Sequence, residues 1–370
     1  MFRIFSKEIY DLRNPFWIIN SLNSARKRRI SQIYYKFYSN YLFAALPVYA
    51  VYLLINGLIA GYNDDIKLVF GYMLEQFCLI MLWCSMLNQK KNLRFLVVSI
   101  LSHGTLSVHR PKKTFIDFAK IFCINGMIPA LLSTLLFLRT SEEEEYKNWT
   151  FGQTIGNPIC QKVVIFIGLH IYITVSIEFL CDTILSICGL IKHCRQYILK
   201  YSNNLKSLDF NTLSNKHVGI LKDYNIMEKN ILHLKEILSV PSFLILACCF
   251  FNLYVALNYG LEEDRLSDII IEFVASVFVG IAGITLMVIY SSQIPENMMK
   301  IKAAAGHLIE KYQLSVFNGG KVYCTLDRIE KKEVIFLTAC GVVDFKKSFL
   351  LTASGALLTY GLLIIQWKVK

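Results

Sequence analysis

Charge is missing from long stretches of this chain. Seven blocks of near membrane-spanning length, 41–61, 66–87, 115–138, 163–191, 240–260, 269–290 and 348–367, are dominated by apolar residues. The last holds no charged residue at all. That pattern argues against the two or three soluble domains that 370 residues would otherwise allow. Catalytic motifs are missing too. There is no nucleophile elbow, P-loop or His-x-x-Glu-His pattern. His103 and His109 share a basic loop, but neither is followed four residues later by Asp, which argues against an acyltransferase. No set of residues points to an enzyme or a cofactor. Met1–Trp17 lack a signal-peptide core, so the first apolar block is expected to act as the signal. No internal repeat appears, which argues against a transporter built on inverted repeats. Of the eleven cysteines, Cys160 alone lies near an expected outer loop, so no disulfide can join outer loops. Cys248-Cys249 lacks metal-ligand spacing, and no metal site is expected.

The charge that is present has a direction. The net charge of +12 sits in alternate connections. Residues 1–40 hold eight Lys and Arg, 88–114 hold six, 192–239 hold eight and 292–347 hold nine. The other connections are acidic or short, as in Asn63-Asp64-Asp65, Glu142–Glu145 and Glu262-Glu263-Asp264. Basic loops stay in the cytoplasm. The spacing therefore predicts an all-α membrane protein with seven spans, the amino terminus inside and the carboxyl terminus outside. The single Asn-x-Thr sequon, Asn148-Trp149-Thr150, falls in a loop assigned outside and makes Asn148 a glycosylation candidate. The run Arg26-Lys27-Arg28-Arg29 just before the first span fits anionic lipid headgroups of the bilayer rather than nucleic acid.

Two segments are too polar to span yet keep helical periodicity. In 192–239, Leu205, Leu213, Tyr224, Met227, Ile231, Leu234 and Leu238 recur at helical steps, and these read as cytoplasmic extensions of helices four and five. In 295–315, Ile301, Ala304, Ala305, Leu308, Ile309 and Tyr312 share one side, and 326–340 resumes a helical pattern with Ile329, Val334, Phe336 and Leu337. Such stripes are expected to make subunit contacts, Ile231 and Leu234 among them.

Polar groups also occur inside the spans. Glu75 and Gln76, Asn125, His170, Tyr172 and Thr174, Asn252, Tyr254 and Asn258, and Glu272 lie on helices two to six. They are candidates for an outward-facing small-ligand pocket or for ordinary hydrogen bonds between helices. His170 with Glu178 could relay protons or could be a satisfied polar contact. On the seventh span, Ser348, Thr352, Gly355, Thr359 and Gln366 fall along one helical face. That face suits either a close helix–helix contact or the lining of a pore.

Thr359-Tyr360, five apolar or small residues, then Gln366-Trp367 resembles the terminal signature of insect gustatory receptors. Phe336-Leu337-Thr338-Ala339-Cys340-Gly341-Val342-Val343-Asp344 resembles the family's segment just upstream. The match covers about the last forty residues. It implies a subunit of a tetrameric ligand-gated cation channel, homomeric or with other gustatory subunits, in the plasma membrane of taste neurons. It also implies a small-molecule tastant bound among helices two to six and an anchor made by the cytoplasmic helices. Under it the chain divides into 1–40, transmembrane helices in 41–191, cytoplasmic extensions in 192–239, two more spans in 240–294, anchor helices in 295–347 and a pore helix in 348–367. Gln366 and Trp367 then fall at the gate beside Leu363, and Thr359 and Tyr360 form the signature pair. Trp367 replaces the family's usual Phe. Gly361 stands where sugar-receptor members carry Glu, which favours a bitter-type or undefined ligand. A G-protein-coupled receptor would need the opposite orientation.

Overall fold

A bilayer's hydrocarbon core is about 30 Å thick, which about 20 helical residues cross. The longest helices here far exceed that length. The computed structural model describes residues 49, 66–103, 131, 133–135, 137, 157–260, 266–314 and 320–368. For Asn258, Glu272 and residues 360–368 it gives only the course of the backbone. In chain order the helices are α1 (Ile66–Asn88), α2 (Lys90–His103), α3 (Pro158–Tyr172), α4 (Phe179–Lys206), α5 (Phe210–Gly260), α6 (Leu266–Lys311), α7 (Gly320–Lys331) and α8 (Ser348–Lys368). A π-helical segment, Ile173–Glu178, fuses α3 to α4. Spans one and three and Asn125 and Asn148 lie outside the described residues, apart from Tyr49, Leu131 and a few neighbours that are helical.

Among the described residues, three helices are long and apolar enough to cross a membrane: Pro158–Lys206, Phe210–Leu257 and Phe273–Lys311. α5 has 51 residues, about 76 Å at 1.5 Å per residue, so more than half of it projects beyond one bilayer. Its apolar half is 240–260; the half before it is amphipathic. α4 and α6 extend similarly past their apolar portions. These projecting ends, with α7, form a helical base.

Side-chain contacts fix helix directions. Ser99 on α2 donates to Asn230 on α5 at 3.0 Å, and Asn252 on α5 donates to Glu75 on α1 at 3.0 Å. The α1–α2 rod therefore runs antiparallel to α5. α6 also opposes α5, because a Cβ on Gly280 would meet Leu253 and one on Gly283 would meet Cys249. At the base, the Tyr312 hydroxyl donates to the Leu208 carbonyl at 3.0 Å, and that of Tyr201 to Ile220 at 3.0 Å. Burial, with Asp223 nearby, pushes the Tyr201 hydroxyl up from its ordinary value.

The base corrects two expectations. Tyr224, Met227, Ile231 and Leu234 are at most 2% exposed within a single chain, as are Ile301, Ala304, Ala305 and Leu308. The stripes read as subunit contacts pack α4, α5, α6 and α7 onto one another instead. Residues 332–340 are not helical either. α7 ends at Lys331, and an antiparallel hairpin follows, β1 (Thr338–Ala339) with β2 (Val343–Asp344), pairing Thr338 with Asp344 and Ala339 with Val343. Its turn places Cys340 at φ 51° and Gly341 at φ 70°. Glycine adopts that left-handed region freely; Cys340 is held there at a cost of about 1 kcal/mol or more. The Cys340 N–H donates to the Ser239 carbonyl of α5 at 3.1 Å, and Phe345 is 1% exposed beneath the hairpin.

The α5–α6 seam depends on its glycines. A Cβ at Gly280 would lie 2.5 Å from Leu253 Cγ and 2.9 Å from the Cys249 carbonyl oxygen, which belongs to backbone and cannot turn away. Gly280→Ala is expected to destabilise the purified protein by about 1–3 kcal/mol. Gly189→Ala, with nothing within 4 Å, should be neutral or stabilising. Thermal unfolding midpoints in detergent separate the two; equal midpoints would contradict this packing.

Candidate functional site

Two regions carry the sequence candidates. The first lies between α1, the π segment and α5. Glu75 and Gln76 are adjacent on α1, so about 100° of helix turn aims them at different neighbours. Glu75 is 1% exposed and accepts from Asn252 Nδ2, which also donates to the Cys248 carbonyl at 3.1 Å. Gln76 Nε2 donates to Ser176 Oγ at 2.7 Å. A polar side chain in an apolar interior costs free energy unless it finds such a partner.

Ser176 comes into reach through the π segment. One extra residue in a turn rotates the helix beyond it, a distortion common at functional sites. Ile173 to Ile177 are all buried, and Thr174 Oγ1 is enclosed with no hydrogen-bond partner. Just before the segment, the Tyr172 ring sits 6.0 Å from that of Tyr49. His170 stacks on Phe166, with ring planes 5° apart, and its Nδ1 lies 3.5 Å from Ser133 Oγ. That contact fits the satisfied-polar reading of His170. Gly71 lets α1 approach α5, since a Cβ there would meet the Tyr254 ring at 3.3 Å.

So Glu75 is joined to Asn252 and Gln76 to the π segment that carries Thr174, while Tyr172 packs on Tyr49, His170 on Phe166, and Tyr254 lies beside Gly71. Asn125 and the side chains of Asn258 and Glu272 lie outside the described residues. Reading the sequence missed Ser176 and Ser133. A serine in a span gives no signal of its own, and the π segment that aims Ser176 leaves no motif.

The second region is α8. Ala353 is 4% exposed, and Phe349, Leu350 and Leu357 are partly buried against the core on its side. The opposite side stands open: Ser348, Thr352, Ser354, Gly355 and Thr359 are exposed, and Leu351 and Leu358 are 79% and 70% exposed. Among the described residues, the polar stripe therefore serves no contact between helices of the chain. Thr359 Oγ1 donates back to the Gly355 carbonyl at 2.8 Å, and Thr352 Oγ1 to Ser348 at 3.5 Å. Each hydroxyl satisfies its donor on its own helix and keeps lone pairs outward. Tyr360, Leu363, Gln366 and Trp367 continue the helix as backbone. Among the described residues, no group of His, Cys, Asp and Glu could hold a metal.

No family model matches the sequence, and comparison with curated proteins gives no match. The fold does match solved structures. The insect olfactory receptor OR5 from Machilis hrabei aligns with a TM-score of 0.57 at 14% identity, over 99% of this chain and 98% of that one. The same receptor in complex with eugenol aligns with a TM-score of 0.55 at 14% identity, over 98% of each chain. This likeness shows that the chain has the insect olfactory receptor fold.

The Glu75–Asn252 contact ties α1 to α5. Asn252→Ala would leave a buried carboxylate without that donor, an expected loss of about 2–3 kcal/mol. In a Glu75→Gln background the same change should cost about 1 kcal/mol. Thermal unfolding of the four proteins measures the coupling; strict additivity would contradict the contact.

Proposed function

We propose that this chain is a gustatory-type chemoreceptor subunit forming, as a tetramer with itself or with related subunits, a ligand-gated non-selective cation channel of the plasma membrane. The observation that carries this reading is the exposed polar face of α8. A span with Ser348, Thr352, Gly355 and Thr359 turned away from its own chain needs other copies or water beside it. Rings of hydroxyl oxygens around an axis provide both. The receptor-like fold and the terminal Thr359-Tyr360…Gln366-Trp367 signature support the same reading.

In this arrangement the amino terminus and the helical base are cytoplasmic, and Asn148 and the end of α8 face outside. The charge bias of the connecting segments supports that orientation. Copies meet through the open face of α8, aided by exposed apolar residues at the base such as Val218 and Leu232. The ligand is a small external tastant, bitter-type or undefined rather than sugar, held near Tyr172, Thr174, His170 and Tyr254. The OR5 structure with eugenol supports a small organic molecule as its kind. Four Trp367 indoles with Leu363 close the outer mouth by dewetting. When the helices splay, Gln366 amides replace part of an ion's hydration. No Lys or Arg lies between Ser348 and Trp367, which permits cations.

Voltage clamp with ion substitution tests the gate. Trp367→Ala should raise basal current severalfold, and Gln366→Ala should change permeability ratios. If both variants reach the surface with wild-type basal current and reversal potentials, α8 is not the gate.

A further inference from the structure

Two long helices each contain one internal proline, Pro241 in α5 and Pro295 in α6. Proline has no N–H, and its ring presses on the carbonyl four residues back. The Ile237 and Ser291 carbonyls thus lose their helical donors. The register between the helices relates the two breaks. Cys249 stands against Gly283 and Leu253 against Gly280. Continued toward the base, that antiparallel register sets Pro241 opposite Ser291 and Pro295 opposite Ile237. Each freed carbonyl lies at the level of the other helix's proline.

Other observations fall on the same level. Ser291, Ser292, Ile294, Asn297 and Met298 are each at most 3% exposed, so α6 is enclosed almost all round. Within those two turns, Ser291 Oγ, Gln293 Oε1 and Asn297 Nδ2 are buried with no hydrogen-bond partner. Buried polar atoms beside an interrupted backbone ladder are costly, which brings a second arrangement closer in free energy. The start of α8 is fixed on the base side of both breaks. The hairpin's Cys340 N–H binds Ser239, just before Pro241, and Lys347 pairs with Glu296, just after Pro295, at 2.8 Å. Asn252 and the polar cluster lie on the other side.

We propose that Pro241 and Pro295 form one paired joint. The outer halves of α5 and α6 bend about it together, relative to a base that holds the foot of α8. Bending opens the level of Ser291, Gln293 and Asn297 to water, which satisfies their free polar atoms. This deepens the channel reading and rests on it for its consequence: the joint lets a change at the Asn252 cluster move the helices around α8 while its foot stays in place.

Hydrogen–deuterium exchange on the full chain in lipid nanodiscs tests the joint without any ligand. Amides of 238–245 and 292–299 should exchange about tenfold faster than those of 249–256 and 280–287. Pro241→Ala restores a donor to Ile237, which stands opposite Pro295, so it should slow exchange on both helices. Uniformly slow exchange in the wild type, or slowing confined to α5, would overturn the proposal. In patches with eugenol as probe, the Pro241→Ala/Pro295→Ala double variant should open severalfold less at equal surface level. Unchanged opening despite slowed exchange would also overturn it. A wild type silent in every ionic condition would defeat the channel reading, while the exchange result still decides the joint.

Discussion

Inside a bilayer no water is at hand to pair a backbone or side-chain polar group, so each departure from a regular apolar helix must be answered by a neighbour. The departures among the described residues can be traced one by one. Glu75 is answered by Asn252 and Gln76 by Ser176, so α1 is tied to α5 and to the π segment before α4 by two adjacent residues. The hydroxyls of Thr352 and Thr359 are answered by their own helix. Among the described residues of the spans, Thr174 Oγ1 aside, two places are left unanswered, the open side of α8 and the level of the two prolines. Both are where a channel reading needs freedom: one to meet other copies, the other to move.

The base works by the opposite logic. Its helices lie beyond the apolar spans and are held by an amphipathic core in which Tyr224, Leu234, Ala305 and Leu326 are nearly or fully enclosed. Lys332 with Glu228 at 2.7 Å and the Tyr312–Leu208 bond close its periphery. Gly306 lets α6 approach α7, since a Cβ there would come within 3.1 Å of Glu330. This base holds the foot of α8 through the Lys347–Glu296 ion pair and the hairpin's bond to Ser239.

Much of this was legible in the residues. Apolar blocks of spanning length located α1, the α3–α4 rod, the apolar parts of α5 and α6, and α8. Steps of three and four located the helical extensions at the base. The stripe at Ile231 and Leu234 was correctly helical but wrongly expected to face another subunit. Periodicity tells which side is apolar, not which chain covers it. The hairpin was missed because each of its strands is two residues long, too short for an alternation of period two to show, and Thr338 and Ala339 are both buried. Phe336 and Leu337 also suited a helical count, and Cys340-Gly341 gave only a weak turn signal. The π segment was not legible, because one extra residue in a helix changes no composition. The polar residues of α1 and α5 could be named as a group from depth alone, but their pairing needed the rotations of three helices.

The central claim is that the open face of α8 lines a pathway shared between copies of the chain. Cysteine scanning along that helix tests it most directly, in a background with exposed Cys84, Cys160, Cys324 and Cys340 replaced by serine. A positively charged methanethiosulfonate reagent applied to conducting cells should block current through Thr352→Cys, Gly355→Cys and Thr359→Cys. It should leave Ala353→Cys and Leu357→Cys, on the packed side, unaffected. Equal block on both sides, or block only at Ala353 and Leu357, would contradict the account.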